Sequence, residues 1–134
     1  MRLLSDIKNK IDFYLINYKL ILDVKSGCEI KLRTPFKARK FYKQKFVRLK
    51  ITEEDLKWSK CVNETLEMIE YNKVSELIEL SYLRGKEICV ACDKVGIVDS
   101  TYFSWMSKIR FYVMIHAVSD GLISRLEIKD SIKF

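Results

Sequence analysis

The side chains with the most distinctive chemistry in this 134-residue sequence are four cysteines and a single histidine. Cys89 and Cys92 form a Cys-x-x-Cys pair, a spacing found in zinc and redox sites. A zinc site needs about four ligands, and neither the other cysteines nor His116 stands at a suitable spacing. A redox pair of the thioredoxin kind opens a helix after a strand, and no strand is predicted here. We therefore expect small, buried, structural cysteines in a reducing compartment, with no metal ligand and no cofactor.

Catalytic constellations are equally scarce in the sequence. His116 lies among the apolar residues Met114 to Val118, which favours a structural or surface role for this side chain. No Ser/His/Asp arrangement or carboxylate pair can be built around it, and the sequence contains no phosphate-binding loop or nucleophile elbow. We expect a protein without catalytic residues, one that is not an enzyme.

Positive charge is concentrated in the first part of the chain. Residues 1–50 contain 14 Lys and Arg against 4 Asp and Glu, whereas residues 51–98 contain 6 against 10. The run from Lys31 to Lys50 contains no acidic residue, and its natural partner is a polyanion. Pro35 interrupts it, so we expect either a basic helix from about Phe36 to Phe46 or an extended arm that orders on nucleic acid. The candidate phosphate contacts of this segment are Lys37, Arg39, Lys40, Lys43 and Lys45.

A short turn at Gly96 to Val98 separates two predicted helices. The first runs from about Lys86 to Val95, and its small residues Ala91 and Cys92 allow a second helix to cross closely. Gly96 tolerates the positive φ of a tight turn, and Ile97 is expected to dip into the core. The second helix begins at Asp99 or Ser100, either of which can cap it. The sequence therefore predicts a helix-turn-helix at about residues 86–112.

The second helix of this motif has an apolar face and a polar face. Residues at three- and four-residue steps form the apolar inner face, namely Tyr102, Trp105, Met106 and Ile109. Hydroxyls on the outer face can enter the major groove or bond phosphates near the helix N-terminus, and Phe103 can contact a thymine methyl group. The candidate DNA-binding residues of this helix are Ser100, Thr101, Phe103, Ser104, Ser107, Lys108 and Arg110.

The elements around this motif are predicted to be helical throughout. Only 4 Gly and 1 Pro are present, and such scarcity favours long helices over the many turns of an all-β fold. Apolar periodicity predicts one helix over Leu3 to Val24 that ends near Gly27, and another that Thr52 caps and that continues toward Tyr71. A third runs from about Lys73 to Leu83. The expected fold is an all-α helical bundle with a C-terminal helix-turn-helix and a basic N-terminal extension.

This organisation predicts that the chain is divided into two parts. Residues 1–50 form the N-terminal helix and basic segment, and residues 51–134 form the helical domain that contains the helix-turn-helix. No stretch is apolar enough to span a membrane, and Asp6, Lys8 and Lys10 interrupt the region where a signal peptide is apolar. We expect a cytoplasmic location and no membrane partner.

One part of the sequence resembles a known family. Glu76–Lys86, followed by Val95–Ile97 and Asp99–Phe103, is similar to the region-4-like helix-turn-helix of sigma factors and, more narrowly, to ArpU/RinA-type phage transcriptional regulators. The resemblance covers roughly residues 70–123 and extends only loosely to the N-terminal half. That family has basic residues where this chain has Phe103–Ser107. The resemblance implies a phage or prophage regulator that acts on double-stranded DNA at a promoter in a bacterial cytoplasm, with RNA polymerase and a second copy of the chain as further partners.

Two other functions agree with the same features. A DNA-packaging module of the small-terminase kind also joins a helix-turn-helix to an oligomerising helix, and its ring would be recognised by mass measurement in solution. A helical protein-interaction or inhibitor module would direct the basic segment at an acidic protein surface and would be indifferent to DNA.

Overall fold

Five helices and two pairs of short strands make up the described part of the chain. The computed structural model describes residues 2–3, 5–33, 46–69, 72–80, 88–123 and 132–133. The helices are α1 (Ser5–Leu22), α2 (Glu53–Glu67), α3 (Asn72–Ile78), α4 (Ile88–Val95) and α5 (Asp99–Ser119). The strands are β1 (Arg2–Leu3), β2 (Glu29–Arg33), β3 (Phe46–Lys50) and β4 (Ile132–Lys133). The predicted predominance of helix is confirmed.

Helix α2 begins where the sequence predicts. The Thr52 side chain accepts a hydrogen bond from the Asp55 backbone amide at 3.2 Å, and the Asp55 carboxylate accepts one from the Thr52 amide at 2.9 Å. This reciprocal capping box satisfies two amides that a helix N-terminus otherwise leaves unpaired. The helix ends at Glu67, one turn before the predicted end near Tyr71.

Helices α1 and α2 pack together through aromatic side chains. The rings of Tyr14 and Trp58 stack with centroids 5.4 Å apart, and the Lys10 ammonium lies 5.2 Å from the Trp58 ring centroid. The Tyr14 hydroxyl donates a 2.7 Å hydrogen bond to Asp55. Burial, and then the neighbouring Asp55 carboxylate, raise the pKa of Tyr14 well above its usual range. Asp55, which completes the capping box of α2, is therefore also a contact to α1.

The basic segment is not organised as predicted at its two ends. Strands β2 and β3 pair antiparallel, with Glu29 opposite Lys50 and Arg33 opposite Phe46. The alternative of an extended arm that orders on nucleic acid is therefore wrong for the residues that form these strands. The reason is tertiary, because Asn17 of α1 bonds both the amide and the carbonyl of Arg33 at 3.0 and 2.8 Å and so fixes the end of β2. Residues 34–45, which include the predicted helix from about Phe36, lie outside the described residues.

A single hydrophobic core joins the two predicted parts of the chain. Its fully buried members include Leu15 of α1, Leu32 of β2, Trp58 of α2, Leu77 of α3 and Met106 of α5. The core therefore crosses the boundary predicted at residue 50, and the N-terminal helix is an integral part of it. Among the described residues, no helix combines the length and the apolar character needed to cross a bilayer.

Candidate nucleic-acid interface

The direction in which α5 leaves α4 is fixed by the three residues between them. Gly96 has a φ of 80°, a value that favours glycine because it has no Cβ. The amides of Gly96 and Ile97 both donate to the Cys92 carbonyl, at 2.8 and 3.0 Å. The Ile97 side chain is half-buried and packs on the core, as the sequence predicts. An eight-residue helix, a three-residue turn that begins with glycine and a second helix follow one another in the order that the sequence predicts.

The inner face of α5 anchors this helix in the core. Tyr102, Met106 and Ile109 are all buried, as expected. Trp105, predicted on the same face, is only half-buried and packs at the edge of the core. Ala91 and Cys92 of α4 are buried, and their small side chains permit close approach of the neighbouring helices. The position of α5 therefore depends on apolar contacts along its whole inner side.

The outer face of the first half of α5 is largely polar and exposed, as the sequence predicts. Thr101 is half-buried, and the exposed residues of this face are Ser100, Phe103, Ser104, Ser107 and Lys108. Phe103 is 46% exposed although it is large and apolar. Its ring meets Tyr102 edge to face, with centroids 5.3 Å apart. A rigid aromatic group is therefore held beside a row of hydroxyls.

The first turn of α5 differs from the prediction. The N-cap residue is Val98 rather than Asp99 or Ser100, and the described residues provide no side-chain cap for this helix. The first helical residue of α5 is Asp99, so both capping candidates lie inside the helix instead of preceding it. The first amides of α5 are thus left for solvent or a ligand at the positive end of the helix dipole.

Arg110 does not belong to the outer face. Its Nε lies 2.7 Å from Asp12 Oδ1 of α1, and the two side chains are only 15% and 13% exposed. A guanidinium paired in this way contributes to packing rather than to a phosphate contact. The prediction of Arg110 as a DNA-binding residue is therefore not supported by its position.

The remaining predicted contacts come from the basic segment. Lys37, Arg39, Lys40, Lys43 and Lys45 lie outside the described residues. The strands that flank them present the exposed cations Lys31, Arg48 and Lys50. Lys31 Nζ lies 4.6 Å from the Phe46 ring centroid, and Arg48 is 3.4 Å from Glu29 across the strand pair. The described part of the segment is therefore a cationic β-ribbon.

No family model, curated protein or solved structure matches this chain.

The four cysteines divide into two classes. Cys61 and Cys92 are buried, whereas Cys28 and Cys89 are exposed, so the prediction of buried cysteines is correct for two of the four. Burial raises the pKa of the Cys61 thiol to about 12 and that of the Cys92 thiol to about 11. Both buried thiols are therefore protonated and unreactive at neutral pH.

Sequence reasoning missed a second polar constellation, at the far end of α5. His116 Nε2 lies 3.2 Å from Glu64 Oε2 and 3.5 Å from Asp120 Oδ2. The i, i+4 spacing of His116 and Asp120 was visible in the sequence. Glu64 was not linked to them, because it lies on another helix.

Proposed function

We propose that this chain is a sequence-specific DNA-binding protein that regulates transcription and uses the outer face of α5 as its reading surface. The observation that carries the proposal is the division of the first half of α5, residues 99–109, into a buried apolar side and an exposed hydroxyl-bearing side, directly after a three-residue turn that begins with glycine. Ser100, Ser104 and Ser107 are exposed on this side of the helix. Short hydroxyl side chains let a helix approach base edges closely.

Phosphate neutralisation is assigned to other parts of the chain. Lys108 is the exposed cation of the outer face, and the cationic β-ribbon with its connecting segment supplies the larger share. Counterion release from such contacts dominates the affinity of most DNA-binding proteins. The resemblance to ArpU/RinA-type regulators extends the proposal to a phage or prophage promoter, with RNA polymerase close to the bound protein.

The test is selection of bound genomic fragments by the purified protein, followed by footprinting and binding titrations with the selected site. Ser104→Ala should leave the melting temperature nearly unchanged, since exposed substitutions shift stability by less than about 0.5 kcal/mol. Thr101→Ala, at a half-buried position, should lower it slightly without unfolding the protein. Both should reduce the preference for the selected site over a scrambled duplex, by less than the roughly 1–3 kcal/mol of a bidentate base contact. Ser75→Ala, at an exposed serine of α3, is the matched control and should preserve the preference.

The basic segment is tested by salt dependence. Joint replacement of Lys37, Arg39, Lys40 and Lys43 by Ala should weaken binding to every duplex and flatten the salt slope by up to about 0.9 log units per phosphate contact. The proposal would be contradicted if both hydroxyl variants kept full sequence preference and the four-residue variant kept the salt slope of the wild type.

A protein-interaction module is the second candidate, because the surface also contains an apolar groove. The groove has a volume of about 630 Å³ between α2 and α5, and Met68, Tyr112 and Ile115 line it. Each of these large side chains is at least 48% exposed, and such patches commonly mark binding surfaces. Indifference to all duplex DNA, with intact folding, would favour this function over DNA binding.

A further inference from the structure

The C-terminal ends of α2 and α5 bring three metal-ligating side chains together. Glu64 lies in the last turns of α2, His116 in the last turn of α5, and Asp120 is the C-cap of α5. One ligand atom from each residue can be chosen so that all three lie within 4.8 Å of one another. We propose that Glu64, His116 and Asp120 bind a divalent transition-metal ion, and that zinc is the ion they fit best. This proposal does not depend on DNA binding.

The orientation of the imidazole supports a metal at Nε2. The Thr65 hydroxyl donates its single proton to the Cys61 carbonyl at 2.8 Å. Its oxygen can therefore only accept from His116 Nδ1, which lies 3.1 Å away. Nδ1 then carries a proton, and Nε2 is the ring nitrogen that faces the two carboxylates. This nitrogen and the two anionic oxygens need a positive charge between them, which either a second ring proton or a metal ion can supply.

The same hydrogen bond is typical of a metal-binding histidine. Such a histidine usually donates its second ring N–H to an oxygen acceptor, which fixes the ring and raises the basicity of the ligating nitrogen. Here the acceptor is Thr65, a residue that is 3% exposed and is held in turn by the backbone of α2. The support for the ring is therefore already in place.

The distances agree with zinc coordination. Zinc binds imidazole nitrogen and carboxylate oxygen at about 2.0–2.2 Å, which places neighbouring ligands of a tetrahedron about 3.3 Å apart. His116 Nε2 lies 3.2 Å from Glu64 and 3.5 Å from Asp120. Both distances are close to this ligand-to-ligand separation. The two carboxylate side chains are each 41% exposed, so they can rotate to close the site while solvent reaches the remaining position.

The surrounding charge also favours a cation. Glu64 and Asp120 both lie at helix C-termini, where the dipole is negative and acidic side chains are destabilised. The last turn of α2 contains Glu64 and Glu67 but no Lys or Arg. One imidazole with two carboxylates suits zinc, with manganese as the nearest competitor among ions that accept oxygen ligands.

The experiment is a zinc titration of the full-length protein, after treatment with a chelator, in competition with a zinc-binding dye. The wild type should bind one equivalent of zinc per chain. His116→Gln, Glu64→Gln and Asp120→Asn should each weaken binding at least tenfold without changing the far-ultraviolet circular dichroism. Glu67→Gln removes the same charge from an exposed position one turn away and should bind zinc like the wild type.

Two further variants separate this site from other sources of zinc binding. Joint replacement of the exposed thiols, Cys28→Ser with Cys89→Ser, should leave the affinity unchanged. Thr65→Val keeps the shape of the side chain but loses the acceptor for Nδ1–H, so it should weaken binding about 10- to 100-fold, and Thr65→Ser should restore it. Cobalt bound to the wild type should give the intense visible bands of a tetrahedral ion. Less than one equivalent in the wild type, undiminished binding in His116→Gln, or binding that disappears with the two thiols would each overturn the proposal.

Discussion

The ion pair between Asp12 and Arg110 gives the sharpest distinction between a structural cation and a DNA-contacting one. The pair joins the middle of α1 to the middle of α5 at 2.7 Å, with both side chains at most 15% exposed. Removing one partner of a buried pair costs about 3–5 kcal/mol, because the other charge is left desolvated and unpaired. Since some solvent reaches this pair, we expect Arg110→Ala to cost about 2–3 kcal/mol. In a chain of this size that corresponds to a fall in melting temperature of roughly 6–12 °C.

The assay pairs thermal unfolding with a salt titration of DNA binding, made well below the melting temperature so that every variant is folded. Arg110→Ala should lower the melting temperature and leave the salt slope of binding unchanged. Lys108→Ala, two residues earlier and exposed, should do the opposite and reduce the slope by about 0.9 log units if it contacts one phosphate. Asp12→Ala with Arg110→Ala should be less destabilising than the sum of the single variants, because the pair is coupled. A reduced salt slope with an unchanged melting temperature in Arg110→Ala would show that this guanidinium leaves Asp12 for a phosphate.

Two further predictions concern the core. Cys61 and Cys92 should resist maleimide at pH 7.5 while the two exposed cysteines react, as mass spectrometry would show. Burial raises the pKa of both thiols above the usual 9.0, so the unfolded state releases these protons first as the pH rises. The free energy of unfolding should therefore fall above about pH 9. Complete labelling of the native protein would contradict this. Asn17→Ala should cost about 2–4 kcal/mol by urea unfolding, because it removes a fully buried side chain that bonds the part-buried amide and carbonyl of Arg33. Asn9→Ala, at an exposed position of the same helix, should cost almost nothing.

The helices were predictable because their signals are local. Thr52 followed by three acidic residues predicts the start of α2, and the capping box is found there. The apolar steps from Leu4 to Leu22 predict α1 to within two residues at each end. Gly96 separates α4 from α5 as expected. In each case the residues that determine the element lie within a few positions of one another.

The parts that could not be predicted depend on partners far along the chain. The segment of strand β2 alternates charged and apolar residues, a pattern that favours a strand. The contacts that hold this strand, with Asn17 and through the burial of Leu32, are not visible in the segment itself. Arg110 sits in a helix with other polar residues, and only the position of Asp12, 98 residues earlier, shows which way it points. The acidic ligand Glu64 is separated in the same way from His116.

Helix α5 connects the two proposed sites, and its length keeps them independent. Ser100 and His116 are sixteen residues apart on one continuous helix, which corresponds to about 24 Å at 1.5 Å per residue. A metal at His116 therefore cannot contact a base or phosphate that Ser100 reaches. Any effect of zinc on DNA affinity would have to act through the packing of α2 against α5, and Met106 and Val113 are already buried in the core between the two sites. Zinc should thus raise the melting temperature without changing the salt slope or the sequence preference, so the failure of one proposal leaves the other intact.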